Sequence, residues 1–275
     1  MEFIRDNDGF IEIDKLLNIR WEKVNNRITK YYIGDKLYYY KKIKSVSNIY
    51  NELVAKEIAN RLGIRCASYD LAVIDGFIGV ISEDFNNNDT FIFMETILKK
   101  CYRDYTSKYN NLEDIWNALY LQLRHFKYVE YLMDELINIF LFDMIIANYD
   151  RHDKNYGIKF DNSGFHMFIF DNEQLLDSDV IISQNYCLAQ TRDDYHKDFN
   201  FIEKFLMTSD SSYIDRLNEM VHVLDDIDDI FNSIELKIGA KMDEHIKNKL
   251  KDFFKLNKTH IINTINKIKV KKKLI

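Results

Sequence analysis

The feature of this sequence that most constrains its fold is an apolar, helix-like run that ends in a dense polar cluster. The run LFDMIIA spans residues 141–147, and NYDRHDKN follows at once as residues 148–155. The next segment, YGIKFDNSGFHMFIFDNE (residues 156–173), is typical of two strands around an Asn-Ser-Gly turn. A plain surface turn could account for the cluster, and so could a catalytic loop that docks on a buried helix.

The polar cluster contains oxygen donors of the kind that phosphoryl transfer requires. That reaction needs a carboxylate near the attacking hydroxyl, an amide and a second carboxylate on Mg²⁺, and a lysine on the phosphates of ATP. Mg²⁺ prefers oxygen ligands and usually takes only one or two carboxylates from the protein. Asp150 and Asn155 lie in one loop, and the hairpin would return Asp171 beside them. His152 can donate a hydrogen bond or a positive charge in the same loop.

The segment ANYDRHDKNYGI, residues 147–158, resembles the catalytic loop of HipA-type serine/threonine kinases. Their pattern is N-x-D-x-H-x-x-N, followed after a short hairpin by a metal-binding Asp. The D-R-H-x-x-N core is also similar to that of phosphatidylinositol 3- and 4-kinases. The resemblance implies that Asp150 is the catalytic base and that Asn155 and Asp171 bind Mg²⁺. His152 then occupies the place that a lysine has in ordinary protein kinases.

The resemblance covers about residues 30–180 in the order of elements, and it is specific only at 148–155 and at Asp171. At 275 residues the chain is shorter than full-length HipA toxins and matches the compact HipA-like kinases in size. Such a kinase also needs a strand lysine paired with a helix glutamate.

Lys41 and Lys42, in KLYYYKKI, are the candidates for that lysine. Adjacent strand residues face opposite sides of a sheet, so only one of them can point into the cleft, and we favour Lys41. The two lysines could equally protect a sheet edge against aggregation. Glu52 matches the N-E-x-x-A helix of HipA-like proteins, although a solvent-exposed glutamate on a helix face would give the same pattern.

The segment GVISEDF, residues 79–85, falls where the strand that contacts adenine is expected, so backbone groups of Glu83 and Phe85 become candidates for ATP binding. The sequence has neither G-x-G-x-x-G nor the Walker motif, which leaves the cradling of the phosphates unexplained. Asn-Glu follows Asp171 in place of the Phe-Gly of ordinary kinases.

The N-terminal third has the pattern of strands around one helix. A Gly-Asp turn divides residues 28–43 into a hairpin, and Asp-Gly does the same within residues 68–85. Residues 47–64 have helical spacing, with Ser47 as the predicted cap and Gly63 as the predicted stop.

From about residue 112 the pattern is mainly helical, apart from the hairpin at 156–173. We therefore predict an α+β, two-lobed protein-kinase-like fold, with a mainly β N-terminal lobe and a mainly helical C-terminal lobe. The predicted division places residues 1–88 in the first lobe and 89–275 in the second.

Composition limits the setting in which the protein works. The net charge of −6 disfavours a protein that coats nucleic acid, and direct nucleic-acid binding is not expected. Three widely spaced cysteines without a CxxC pair favour a reducing cytoplasm over a disulfide framework. The N-terminus does not resemble a signal peptide, and charged residues interrupt the longest apolar stretch, so neither export nor a membrane span is expected.

We therefore predict ATP- and Mg²⁺-dependent transfer of phosphate to Ser or Thr of an unidentified protein substrate, with autophosphorylation as a further expectation. The resemblance also implies an antitoxin or regulatory partner. Two alternatives remain open: a kinase that acts on a small molecule or a lipid head group, and an inactive kinase-like module that only binds.

Overall fold

The structure is a computed structural model that describes residues 5–16, 19–43, 45–86, 91–101, 112–148, 151–172 and 193–273, the side chains of 112 and 193–200 excepted. Asp150 therefore lies outside the described residues, and so does residue 149.

The N-terminal part is built on a six-stranded sheet in the order β1-β5-β6-β4-β3-β2. Its one parallel pair is β1 with β5, and the other pairs are antiparallel. A short 3-10 turn, Ile13–Lys15, follows β1. The strands are β1 (Ile11–Glu12), β2 (Arg20–Lys23), β3 (Ile28–Ile33), β4 (Lys36–Lys42), β5 (Tyr69–Ile74) and β6 (Phe77–Glu83).

Both predicted hairpins are present in this sheet. Gly34, with φ of +66°, turns the chain between β3 and β4, and a left-handed backbone of this kind suits glycine. β4 lies between β3 and β6, so Lys41 and Lys42 are in the interior of the sheet. The interpretation of these lysines as edge protection is therefore wrong.

The two faces of the sheet belong to two separate hydrophobic cores. Alternation along β4 and β6 places Lys41 with Val80 on the inner face and Tyr40 with Ile81 on the outer face. The inner face packs on helix α1 (Val46–Arg61) and joins the main core, which extends into the C-terminal part. The outer face forms a smaller cluster that includes Tyr31 and Ile74.

Helix α1 begins two residues earlier than the sequence indicated. Ser45, not Ser47, is the N-cap, and its hydroxyl accepts a hydrogen bond from the Asn48 amide. Gly63, with φ of +70°, follows the helix end as predicted. Glu52 is only 1% exposed, which excludes the interpretation of a solvent-exposed glutamate.

The C-terminal part surrounds the long helix α4 (Val129–Ile146), which is almost wholly buried. A second sheet, β7-β8-β9, packs beside it, and its strand β7 was not predicted from the sequence. The remaining elements are β7 (Phe91–Phe93), β8 (Tyr156–Asp161), β9 (Gly164–Ile169), α2 (Met94–Cys101), α3 (Leu112–Leu123), α5 (Asp193–Thr208), α6 (Ser212–Val221), a 3-10 turn (His222–Asp226), α7 (Ile227–Ile238) and α8 (Glu244–Lys272).

Backbone hydrogen bonds join the two parts directly. The Ala67 amide donates to the Ile169 carbonyl at 3.0 Å, and the Ile169 amide donates to the Arg65 carbonyl at 3.0 Å. Helix α7 also packs against α1. The division at residue 88 stays a prediction. In the part of the chain that the structure describes, no helix is both long and apolar enough to cross a membrane.

We predict that Gly79→Ala destabilises the sheet where it holds Lys41. A Cβ atom at residue 79 would lie 2.3 Å from the Lys41 carbonyl oxygen, so β4 and β6 would have to separate. Such overpacking costs about 1–3 kcal/mol, to be measured by urea denaturation. Glu22→Ala, on exposed β2, is the control and should change the free energy of unfolding by less than about 0.5 kcal/mol. Equal effects of the two changes would contradict the prediction.

Candidate active site

The polar loop begins where helix α4 ends in a left-handed turn. Ala147 has φ of +51°, and the Asn148 amide donates to the Asp143 carbonyl at 2.9 Å, as in a Schellman cap. A non-glycine residue costs about 1–2 kcal/mol in this conformation. The turn is nevertheless held by the backbone hydrogen bonds to Asp143 and Met144 at the helix end.

Arg151 is the anchor of this loop. Its guanidinium donates to both carboxylate oxygens of Asp143, with Nε–Oδ2 at 3.0 Å and Nη2–Oδ1 at 2.9 Å. It also donates to the carbonyls of Asn155 and Phe170 at 3.2 and 3.0 Å, and to Asn172 Oδ1 at 2.5 Å. Burial would lower the pKa of Arg151, but the charge of Asp143 and the hydrogen bonds to it together outweigh that effect and raise the pKa. Burial raises the pKa of Asp143, and the charge of Arg151 opposes that rise.

These bonds place Asn155 next to the end of strand β9. The Asn155 carbonyl accepts from the Phe170 amide at 3.0 Å as well as from Arg151, and the Asn155 amide donates to the His152 carbonyl at 2.9 Å. Asn155 is 4% exposed. Phe170 directly precedes Asp171, so the backbones of the two predicted metal ligands lie close together.

A neighbouring carboxylate in the loop has a perturbed pKa. Asp153 is buried, and its burial followed by the charge of Glu95 raises its pKa. Its carbonyl accepts from the Glu95 amide at 2.9 Å, which ties the loop to the start of α2.

Lys41, from the inner face of the N-terminal sheet, forms an ion pair with Asp171. Lys42 points to the outer face, where its ammonium lies 3.0 Å from the centre of the Phe77 ring. The fold therefore brings Lys41, and not Lys42, to the predicted metal ligand. Asp171 itself has φ of +57°, a conformation that Asp tolerates better than most residues.

Two buried side chains fix the backbone of Asp171 and Asn172. The Tyr69 hydroxyl accepts from the Asp171 amide at 2.9 Å, and Glu52 Oε1 accepts from the Asn172 amide at 2.9 Å. Burial, followed by the nearby charge of Glu52, raises the pKa of Tyr69 well above its usual value, and a hydrogen bond with Glu52 acts in the same direction. Tyr69 therefore stays protonated and joins Glu52 to the amide of Asp171.

The residues predicted for the adenine region lie at the end of β6. Glu83 forms an exposed ion pair with Lys36 at 2.9 Å. The Phe85 ring packs at 4.9–5.1 Å from the rings of Phe91, Phe168 and Phe170. The Phe85 side chain thus joins the two parts of the protein, and its proposed contact with ATP would be made by its backbone.

Asn155 and Asp171 have donor chemistry that suits Mg²⁺, since one offers an amide oxygen and the other a carboxylate. Asp171 already has a cation, the Lys41 ammonium, as its partner, which shows that its charge is directed towards a positive group. Within the described residues no cluster of three or more His, Cys, Asp and Glu side chains could hold a metal. A Mg²⁺ ion held by Asn155 and Asp171 alone would take its remaining ligands from water and phosphate oxygens.

Sequence reasoning missed Arg151, Asp143 and Tyr69. Asp143 gave a signal, since it is a carboxylate inside an apolar helix eight residues before Arg151. Tyr69 gave none, because an aromatic residue at the start of a strand is ordinary.

Comparison with solved structures shows which fold this is. The Helicobacter pylori proinflammatory kinase CtkA superposes with a TM-score of 0.67 at 19% identity, over 95% of this chain and 98% of that chain. HipA of the Shewanella oneidensis MR-1 toxin–antitoxin system, solved with HipB and operator DNA, superposes with a TM-score of 0.57 at 15% identity, over 90% of this chain and 66% of that chain.

No family model matches the sequence, and no curated protein matches it. The two superpositions nevertheless show that the chain has a HipA-like, protein-kinase-like α+β fold. The predicted fold class is thus confirmed at the level of structure.

Removing the charge of Asp143 should be severely destabilising. In Asp143→Asn the Arg151 guanidinium would remain buried without its counter-ion, which typically costs about 3–5 kcal/mol. We expect a fall of this size in the free energy of unfolding measured by urea denaturation. Asp134→Asn is the control, because its ion pair with Arg216 is partly exposed and should contribute less than about 1 kcal/mol. Similar losses in the two variants would show that Arg151 is not the anchor.

Tyr69→Phe should lower the free energy of unfolding by about 1–2 kcal/mol, because the Asp171 amide and Glu52 each lose a partner. Hydrogen exchange should accelerate at the amides of Asp171 and Asn172. Tyr32→Phe, in the same sheet, is the control and should have an effect below about 0.5 kcal/mol. Unchanged exchange at Asp171 would contradict the proposed contact.

Proposed function

We propose that this protein is a phosphotransferase that uses ATP and Mg²⁺ to phosphorylate Ser or Thr of a protein, with autophosphorylation as one outcome. Asp150 accepts the proton of the attacking hydroxyl, and Asn155 and Asp171 hold Mg²⁺. Lys41 aligns the phosphates. Backbone groups near Glu83 and Phe85 contact adenine.

One observation carries the proposal. On a HipA-like fold, Lys41 from the sheet, Asn155 from the polar loop and Asp171 from the end of β9 meet at one place. Lys41 lies 130 positions before Asp171 along the chain and Asn155 lies 16 positions before it, so one shared turn does not explain why they meet.

The groups of this chain act mainly by position and charge. Arg151 fixes the loop backbone at Asn155 and Phe170, so the metal ligands need no reorganisation during the reaction. Lys41 supplies a positive charge that is held in place by the strand and balanced by Asp171. When bound, Mg²⁺ neutralises charge that develops on the phosphate oxygens.

Glu52 contacts the segment that contains the predicted metal ligand Asp171. Its Oε1 accepts from the Asn172 amide, and it also forms a hydrogen bond with Tyr69, whose hydroxyl accepts from the Asp171 amide. We propose that Glu52 positions the metal-binding segment in addition to supporting Lys41.

His152 is oriented to act as a hydrogen-bond donor. Its Nδ1 accepts from the Lys154 amide at 3.2 Å, so in the neutral ring the proton is on Nε2. The ring is partly exposed. We propose that Nε2–H supports the transferred phosphoryl group.

The proposed partner of this chain is based on the HipA structure. The HipA structure contains HipB and operator DNA, so an antitoxin-like or regulatory protein is a reasonable partner of this chain. Cys66 and Cys101 carry free thiols, which suits a reducing cytoplasm.

The decisive experiment is transfer of radiolabel from [γ-³²P]ATP, with the protein alone and with a cell lysate. Asp150→Asn should lower the rate by about 10²–10⁴-fold, since it removes the proton acceptor. Lys41→Met and Asp171→Asn should each lower it by about 10²–10³-fold, and chelation of Mg²⁺ should abolish it. Lys30→Met, on the neighbouring strand, is the charge-matched control and should retain the rate within about threefold.

Other outcomes would identify the alternatives. ATP hydrolysed or consumed without labelled protein would favour a small-molecule or lipid acceptor. ATP bound but never consumed would indicate a binding module. Loss of transfer in Lys42→Met, with Lys41→Met active, would show that the wrong lysine was assigned.

A further inference from the structure

A groove of about 560 Å³ lies on the outer face of the N-terminal sheet, away from the Lys41–Asp171 pair. Alternation along β4 separates the two sites, since Tyr40 and Lys42 line the groove while Lys41 faces the other way. The volume is in the range of ligand-binding clefts. This groove plays no part in the proposed phosphoryl transfer, and the inference drawn from it does not depend on that proposal.

The groove has an aromatic floor and wall. Tyr31 and Tyr40 are 8% and 5% exposed and contact each other edge to face, with ring centres 6.4 Å apart. The Tyr40 hydroxyl donates to the Phe77 carbonyl at 2.6 Å. Trp21 and Phe77, which are 66% and 52% exposed, form the rim. Large aromatic side chains at this exposure are typical of a surface that contacts a partner.

The groove is bordered by an open sheet edge. Strand β2 is exposed along its whole length, and within the described residues β3 is its only neighbour. The Val24 amide bonds to the Ile28 carbonyl at 3.0 Å. Hydrogen bonds alternate in an antiparallel pair, so the backbone N–H groups of Trp21 and Lys23 point away from β3. An added strand could therefore pair with β2 at these two residues.

Basic side chains outnumber acidic ones around the groove, in a protein whose net charge is −6. Three basic residues line it, against Asp14 and Asp75 at its inner end. Lys23, Arg27 and Lys42 line the groove itself. An acidic partner would be attracted to this surface and repelled by the rest of the protein.

We propose that β2 and the groove bind an extended, acidic peptide segment of a partner protein. The segment adds to the sheet along β2, places an apolar or aromatic side chain between Trp21 and Phe77, and sets acidic side chains against Lys23 and Arg27. Strand addition supplies backbone hydrogen bonds, and the pockets for alternate side chains supply specificity.

The inner end of the groove favours a peptide over a nucleic acid. Asp14 and Asp75 lie there. Burial raises the pKa of Tyr31 to about 12, and the negative charges of these two residues contribute to the rise. Two carboxylates would repel a continuous run of phosphates. A peptide can instead place separate acidic residues at the basic rim and an uncharged side chain at this end.

The test uses the synthetic peptide Ac-SETFTES-amide, in which Glu, Phe and Glu alternate on one face of a strand. The protein has two tryptophans, so Trp116→Phe leaves Trp21 as the sole fluorescent reporter. We expect a saturable blue shift of Trp21 emission that weakens with added salt, because part of the attraction is between exposed charges.

Charge variants test where the peptide binds. Lys23→Glu should raise the Kd by about tenfold, whereas Lys30→Glu, the same change on the opposite face of the adjoining strand, should alter it by less than about twofold. The peptide with Ala in place of Phe should also bind about tenfold more weakly. Equal effects of the two lysine variants would mean non-specific attraction and would overturn the proposal.

A matched pair of variants tests strand addition. Lys23→Gln and Lys23→Pro both remove the charge, but only proline removes the outward N–H, and an edge strand tolerates it. The proline variant should bind at least about threefold more weakly than the glutamine variant. Equal binding by this pair would exclude the added strand.

Tighter binding of oligo(dT), with the same dependence on Lys23, would show a nucleic-acid site instead. No Trp21 response to the peptide would reject the proposal outright.

Discussion

The ion pair between Arg151 and Asp143 is the interaction on which the geometry of the site depends. One guanidinium satisfies a carboxylate inside the apolar helix α4, the carbonyls of Asn155 and Phe170, and the side chain of Asn172. Each of these buried or partly buried groups would lose a hydrogen bond if Arg151 were removed. The buried guanidinium of Arg151 therefore holds the loop in one position.

A second set of contacts ties the same point to the N-terminal sheet. Glu52 and Tyr69 hold the amides of Asn172 and Asp171, and Lys41 pairs with the Asp171 side chain. Asp171 is therefore fixed by elements from both parts of the protein. A shift of one part relative to the other would move the side chains at the proposed metal site. The left-handed backbone of Asp171 is tolerated because these contacts hold it from several sides.

The two faces of the N-terminal sheet contact different parts of the protein and carry different proposed sites. The inner face contributes Lys41 to the site and packs on the main core, while the outer face has its own small core and the basic groove beside β2. Period-two alternation makes this possible, because neighbouring residues such as Lys41 and Lys42 serve opposite sides. A partner bound at the groove would contact the strands that carry Lys41 without entering the cleft.

The sequence by itself determined the three hairpins, helix α1, the mainly helical C-terminal part and the cluster that contains Asn155, because these depend on local periodicity and turn chemistry. It missed the cap at Ser45 by two residues, since several polar residues there could cap, and it missed β7, which is too short to show a pattern. Only the tertiary structure shows that Lys41 lies against Asp171 while Lys42 faces the other side of the sheet, and only it revealed the contacts of Arg151, Tyr69 and Glu52. Those assignments depend on contacts between residues 8 to 130 positions apart, and no local pattern encodes which distant group a buried polar side chain will meet.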